Sequence, residues 1–100
     1  MLLAFSISPQ TTDQPDGSVS EAVAAAIGVV RESGLAHETT AMFTTLEGGW
    51  DEIMAVVKKC VDTVGEYSPL VSLVMRADIR PGYTGQITAK VDRVNAILEK

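Results

Sequence analysis

Leu35-Ala36-His37-Glu38-Thr39-Thr40-Ala41-Met42-Phe43-Thr44-Thr45-Leu46-Glu47 is the stretch on which the fold turns. Its threonines and its aromatic residue favour strands. Residues 35–47 are too many for an ordinary strand, which runs to about 5–6. No Asn-Gly or Asp-Gly marks a two-residue hairpin. Periodicity therefore leaves two readings open, one bent strand or two short ones, and Gly48-Gly49 ends the segment under either. The choice decides the sheet. A single strand leaves three parallel strands, whose edges and open face are hard to stabilise at this size. A hairpin adds a fourth strand and is favoured for that reason.

On the N-terminal side, residues 2–8 alternate. Leu3, Phe5 and Ile7 share one face, and Leu2, Ala4, Ser6 and Ser8 the other, which predicts a strand that Pro9 ends. Residues 10–17 carry Thr, Asp, Gln, Pro and Gly and read as a loop. Ser18-Val19-Ser20-Glu21 has the capping-box pattern of a helix start. Val19, Val23, Ala26, Ile27 and Val30 follow at helical spacing, Arg31 suits the last turn, and Gly34 supplies a left-handed stop.

On the C-terminal side, a second helix is predicted from Trp50 to about Tyr67. Asp51 and Glu52 suit its positive end, and Ile53, Val56, Val57, Cys60, Val61 and Val64 form its apolar stripe. Ser68-Pro69 breaks it. Residues 70–79 alternate again, with Val71, Leu73, Met75, Ala77 and Ile79 opposite Ser72, Val74, Arg76 and Asp78. Arg80-Pro81-Gly82 turns the chain into a last helix from about Gln86, striped by Ile87, Val91, Val94 and Leu98.

The order is thus β-α-β(β)-α-β-α. With the hairpin, this is the α+β split βαβ arrangement called ferredoxin-like, a βαββαβ sandwich on a four-stranded antiparallel sheet with an additional C-terminal helix. Residues 1–100 suffice for one domain and not for two. The helices are expected to cover one sheet face. The other face, bearing Ser6, Ser8, Ser72, Val74, Arg76 and Asp78, is expected to stay open and to suit self-association.

Composition excludes several functions. The net charge of −5 argues against nucleic acid, whose binders use Lys and Arg to displace counterions from phosphates. Lys58-Lys59 is the only adjacent basic pair and reads as a solvated helix face. With a single cysteine, Cys60, the chain has no internal disulfide and no thiolate metal set. No apolar run approaches the roughly 20 residues of a membrane span, and no signal-peptide pattern opens the chain. A cytoplasmic location is the expectation. A diphosphate-bearing ligand would need phosphate-cradling amides and a Mg²⁺ site, and neither a Gly-rich loop of that kind nor an Asp cluster occurs.

Leu3-Ala4-Phe5-Ser6-Ile7-Ser8-Pro9, Glu38-Thr39-Thr40-Ala41-Met42 and Thr45-Leu46-Glu47-Gly48, leading into Trp50-Asp51-Glu52-Ile53, resemble the thiamine-binding protein family. So do Val74-Met75-Arg76-Ala77-Asp78-Ile79-Arg80 and Lys90-Val91-Asp92-Arg93-Val94. Phe5, where relatives often carry an acid, and Ala41 and Phe43, where a Pro-Met-Gly bend is common, depart from the pattern. The resemblance implies a ferredoxin-like fold and dimers or tetramers. It also implies binding of thiamine, or its hydroxymethylpyrimidine half, without turnover, and no cofactor is expected.

An aminopyrimidine is a flat disc with an amino donor beside ring-nitrogen acceptors. Its site needs an oxygen acceptor, a hydroxyl or amide donor, and flat or flexible apolar walls. Glu38, Thr39, Thr40 and Ser20 are candidates for the polar part, and Met42 and Phe43 for walls. The duller alternative is that the threonines merely favour strands. Arg76 and Asp78, two apart on one strand face, either orient a ligand or form a surface ion pair. Glu47 is either a ligand acceptor or a solvated loop residue. His37 and Glu38, as strand neighbours, point to opposite faces and make no ready acid–base dyad. Cys60 reads as a core hydrophobe, and Trp50 as a packing anchor.

Three functions remain. The first is a non-catalytic carrier, buffer or sensor of unphosphorylated thiamine or hydroxymethylpyrimidine. The second is a structural or regulatory homo-oligomer without a vitamin ligand. The third, by fold analogy alone, is an enzyme using His37 as base.

Overall fold

The computed structural model describes residues 1–10 and 19–99. The predicted capping serine Ser18 and most of the predicted loop, residues 11–17, lie outside the described residues. The elements are β1 (Leu2–Pro9), α1 (Ser20–Glu32), β2 (Ala36–Thr39), β3 (Thr44–Glu47), α2 (Trp50–Gly65), β4 (Val71–Asp78) and α3 (Gln86–Leu98).

The deciding stretch is a hairpin. β2 and β3 pair antiparallel from Ala36 opposite Glu47 to Thr39 opposite Thr44, joined by residues 40–43. The Thr40 amide donates to the Phe43 carbonyl at 2.9 Å and closes the turn. The sheet order is β2-β3-β1-β4, with β1 antiparallel to both neighbours. This is the ferredoxin-like α+β arrangement that the hairpin reading predicts. β1 runs one residue further than expected. Pro9 pairs with Val71 inside the sheet, and the next amide, Gln10, donates to the Leu70 carbonyl at 2.8 Å and continues the ladder that proline interrupts.

Alternation along β1 sorts the sheet into two faces. Leu3, Phe5 and Ile7 point inward and are buried together with Leu46 of β3. Ala22, Ala26 and Val30 of α1, and Ile53, Val57, Cys60 and Val64 of α2, close over them. All of these helix positions except Ala22 belong to the predicted stripes. At roughly 1.5–3 kcal/mol for each large aliphatic side chain, their burial is the main stabilising contribution of the fold. Gly34 adopts a positive φ of 77°, the left-handed conformation expected of it after the last turn of α1. Gly82 adopts a positive φ of 83° behind Pro81, as a type II turn requires. The Tyr83 amide closes that turn by donating to the Arg80 carbonyl at 3.2 Å.

Two expectations need correction. Trp50 is 57% exposed and anchors no core packing: it opens α2 on the solvent side. The outer face is not wholly open. Its residues Glu47 and Asp78 both stand opposite Leu2, and both hold α3. Lys90 Nζ lies 2.6 Å from Asp78 Oδ2, and the Gln86 amide donates to Glu47. The third helix therefore crosses the face that α1 and α2 leave uncovered, at one end only.

Candidate functional site

The β2–β3 hairpin bends toward α1 and leaves a cleft of about 210 Å³ between them. Phe5, which is fully buried, and Ile7 form its floor. Half-buried Val23 and Ile27 of α1 make one wall, and the hairpin residues 39–44 make the other. Met42 at the tip is 74% exposed, so it stands at the rim as a flexible thioether. Among the described residues, no charged side chain lines this cleft.

Besides Ser6, its polar side chains are three threonines whose hydroxyls form a defined pattern. Thr39 Oγ1 and Thr44 Oγ1 lie 3.3 Å apart across the first pair of the hairpin, so one donates to the other. The pair thereby keeps one O–H free to donate. Thr40 Oγ1 donates to the Phe43 carbonyl at 3.1 Å, which leaves its lone pairs as acceptors. Residues carrying a free donor and a free acceptor thus line the same cleft as its apolar walls. Thr44 is nearly fully buried and is not among the residues singled out from sequence. Its signal is its place on the same strand face as Leu46, which is legible once β3 is known to start there.

The sequence candidates divide among several places. Thr39, Thr40, Met42 and Phe43 come together in the cleft. Glu38 pairs with Thr45 on the opposite sheet face and points away from it. Ser20 opens α1 on the exposed side and is not a lining residue of the cleft.

Glu47 is engaged elsewhere. Its two carboxylate oxygens accept from the Gln86 amide at 3.1 and 2.9 Å, which caps the N-terminus of α3. Arg76 and Asp78 form an ion pair at 3.7 Å on the outer face, and Lys90 is the closer partner of Asp78. The Lys90 ammonium, by hydrogen bond and by charge, and then the Arg76 guanidinium hold the Asp78 carboxyl below its ordinary range.

Other reactive groups are occupied or sealed. Cys60 is completely buried, and its thiol contacts the Ala26 carbonyl at 3.4 Å. Burial pushes that thiol up to about 11, so it is not a thiolate at neutral pH. His37 is exposed on β2, with Nδ1 2.9 Å from the Leu35 carbonyl. In the neutral ring this contact places the proton on Nδ1. Among the described residues, no group of three His, Cys, Asp or Glu side chains is placed to hold a metal ion, and no helix is long and apolar enough to cross a membrane.

Relatives match nearly the whole chain in sequence or in fold. A UPF0045 protein of Mycobacterium bovis is 46% identical over 99 residues, spanning 98% of this chain and 94% of that one. A hypothetical protein of Methanocaldococcus jannascii superposes with a TM-score of 0.82 at 32% identity, over 94% of each chain. The crystal structure of a proposed thiamine biosynthesis/salvage protein of Thermotoga maritima shares the fold. Its TM-score is 0.74 at 24% identity, over 92% of this chain and 97% of that one. The family profile described as thiamine-binding protein matches residues 3–95, and this chain belongs to that family.

Proposed function

We propose that the protein binds the hydroxymethylpyrimidine half of thiamine, unphosphorylated, in the cleft between the β2–β3 hairpin and α1, and releases it unchanged. The observation that carries this reading is the cleft's lining, uncharged among the described residues, with one free donor and one free acceptor on it. An aminopyrimidine matches that pattern. Its exocyclic amine donates to Thr40 Oγ1, and a ring nitrogen accepts from the Thr39–Thr44 pair. Phe5, Val23 and Ile27 contact the ring, and Met42 covers it.

Size and charge narrow the ligand. Drug-sized sites run to roughly 300–1,000 Å³, so a cleft of about 210 Å³ suits a single ring better than a whole vitamin. A diphosphate would find no cation among the described lining residues. The family and the Thermotoga relative's description support a thiamine-related role. Carrier, buffer or sensor roles all fit such a site, and a cytoplasmic setting belongs to the same proposal.

Thermal unfolding with added ligand tests the reading. Saturating hydroxymethylpyrimidine raises stability by mass action, by about 2.7 kcal/mol at a hundredfold excess over Kd. Thiamine gives a smaller shift and thiamine diphosphate the smallest. No shift with either unphosphorylated ligand would sink the proposal, and tighter binding of the diphosphate would overturn its charge argument. Mass spectrometry of the recovered ligand checks that it is unchanged.

A second reading has an observation of its own. Val91, Val94, Ile97 and Leu98 on α3 are all more than half exposed, and β4 is an edge strand with Val74 and Met75 exposed. Apolar surface of this kind, beside an unpaired strand, suits self-association to a dimer or tetramer. Sedimentation equilibrium decides it: a monomer at all concentrations excludes this reading and leaves the first intact.

A further inference from the structure

A second cavity, of about 340 Å³, lies at the other end of the sheet, between the start of β1, the end of β4 and the first turns of α3. Its chemistry differs from that of the threonine cleft. The Arg80 guanidinium lies over the Tyr83 ring, 3.7 Å from its centroid. That stacking fixes the guanidinium plane and leaves its edge donors free. Among the described residues, Arg80 has no carboxylate partner. The acidic groups nearby are already occupied: Asp78 by Lys90 and Arg76, and Glu47 by the Gln86 amide. An unneutralised cation therefore faces a cavity in a chain of net charge −5.

Gln86, on the same cavity wall, adds a second unmet demand. Its Nε2 donates to the Thr84 carbonyl at 2.9 Å, whereas its Oε1 is shut from solvent and meets no donor. A buried acceptor without a partner is destabilising. Reaching that oxygen from the cavity requires the Gln86 amide to turn and its bond to the Thr84 carbonyl to break.

We propose that this cavity is a second small-molecule site, taking an organic oxyanion that also carries an N–H or O–H donor. The carboxylate or phosphate is held by the fork of Arg80, and the donor satisfies Gln86 Oε1. Leu2 and Ile79 supply the apolar wall. This site is independent of the pyrimidine cleft and stands whether or not that cleft binds its ligand.

The test is an NMR titration of the full chain at constant ionic strength, following the Arg80 Nε–H and Gln86 side-chain amide signals. N-acetylglycine probes carboxylates that carry an amide donor, and inorganic phosphate probes phosphate groups. A saturable shift confined to this end of the molecule is expected with at least one probe. A response to the first alone assigns the site to carboxylates, and to the second alone to phosphates. Arg80→Gln, an exposed loop substitution, abolishes the shift. Gln86→Leu weakens N-acetylglycine binding by about tenfold, the value of one hydrogen bond to a charged or buried group. Linear, unsaturable drift with both probes, or a saturable shift that survives Arg80→Gln, overturns the proposal.

Discussion

α2 and α3 carry similar patterns and meet different fates. Each has apolar residues at helical spacing, yet α2 buries Ile53, Val57, Cys60 and Val64, and α3 buries nothing. The difference lies in what each helix faces. α2 meets the inner sheet face, where Leu3, Phe5 and Leu46 form an apolar floor, and it packs beside α1. α3 reaches the outer face, whose Ala4, Ser6 and Thr45 offer little to bury against, and it is held there by Glu47 and Asp78. A stripe permits burial; a complementary layer produces it.

Ile53→Ala gives the largest expected effect that bears on this contrast. Cutting this fully buried isoleucine back to alanine costs about 2–5 kcal/mol, read by urea denaturation. A loss under about 1 kcal/mol, no more than an average substitution brings, would mean that α2 is held no better than α3. Glu47→Ala comes next. It removes both acceptors from the first amide of α3 and costs about 1 kcal/mol, the usual worth of a cap. Hydrogen exchange should locate that loss in the first turns of α3, and a loss spread over the whole domain would break the picture of a separately tethered helix.

Val94 lies on the exposed stripe of α3. Its replacement, Val94→Ala, should change stability by no more than about 0.5 kcal/mol in dilute solution, as surface substitutions usually do. A larger loss that grows with protein concentration would sharpen the contrast differently, since it would show that a second copy covers α3. The smallest effect is a pH dependence. The Asp78 carboxyl is lowered in the folded state by Lys90 and Arg76. Its contribution is therefore present above the ordinary carboxylate range and is lost as pH falls through the lowered folded value. The Asp78→Asn variant should differ from the parent at neutral pH and converge with it in acid, as followed by thermal unfolding. A difference that widens in acid would contradict the sign.

The candidate site is half legible in the chain. Thr39, Thr40, Met42 and Phe43 stand out because they crowd one short stretch that is rich in strand formers and oddly long for one strand. Thr44, Val23 and Ile27 do not, because nothing in the chain says that α1 will lie across that hairpin. Glu38 and Glu47 look like ligand acceptors because carboxylates match an aminopyrimidine. Strand alternation turns Glu38 to the far face, and Glu47 caps a helix that begins 39 residues later. Arg80 and Gln86 escape notice for a similar reason, since a turn residue and a helix-start residue gain meaning only when the end of β4 and α3 meet around a cavity.

Local periodicity and stereochemistry determined the elements, the inner face of β1, and the stop at Gly34, because each of these depends on neighbours a few residues away. The sequence also made a hairpin the physically favoured reading of residues 35–47, since a lone strand would have left the sheet too small. Tertiary structure alone decided which faces meet. It set the three threonine hydroxyls against α1, paired Glu47 with Gln86, and sent α3 to a face too small and polar to bury it. Those outcomes depend on how whole layers fit, and no window of sequence contains both sides of a fit.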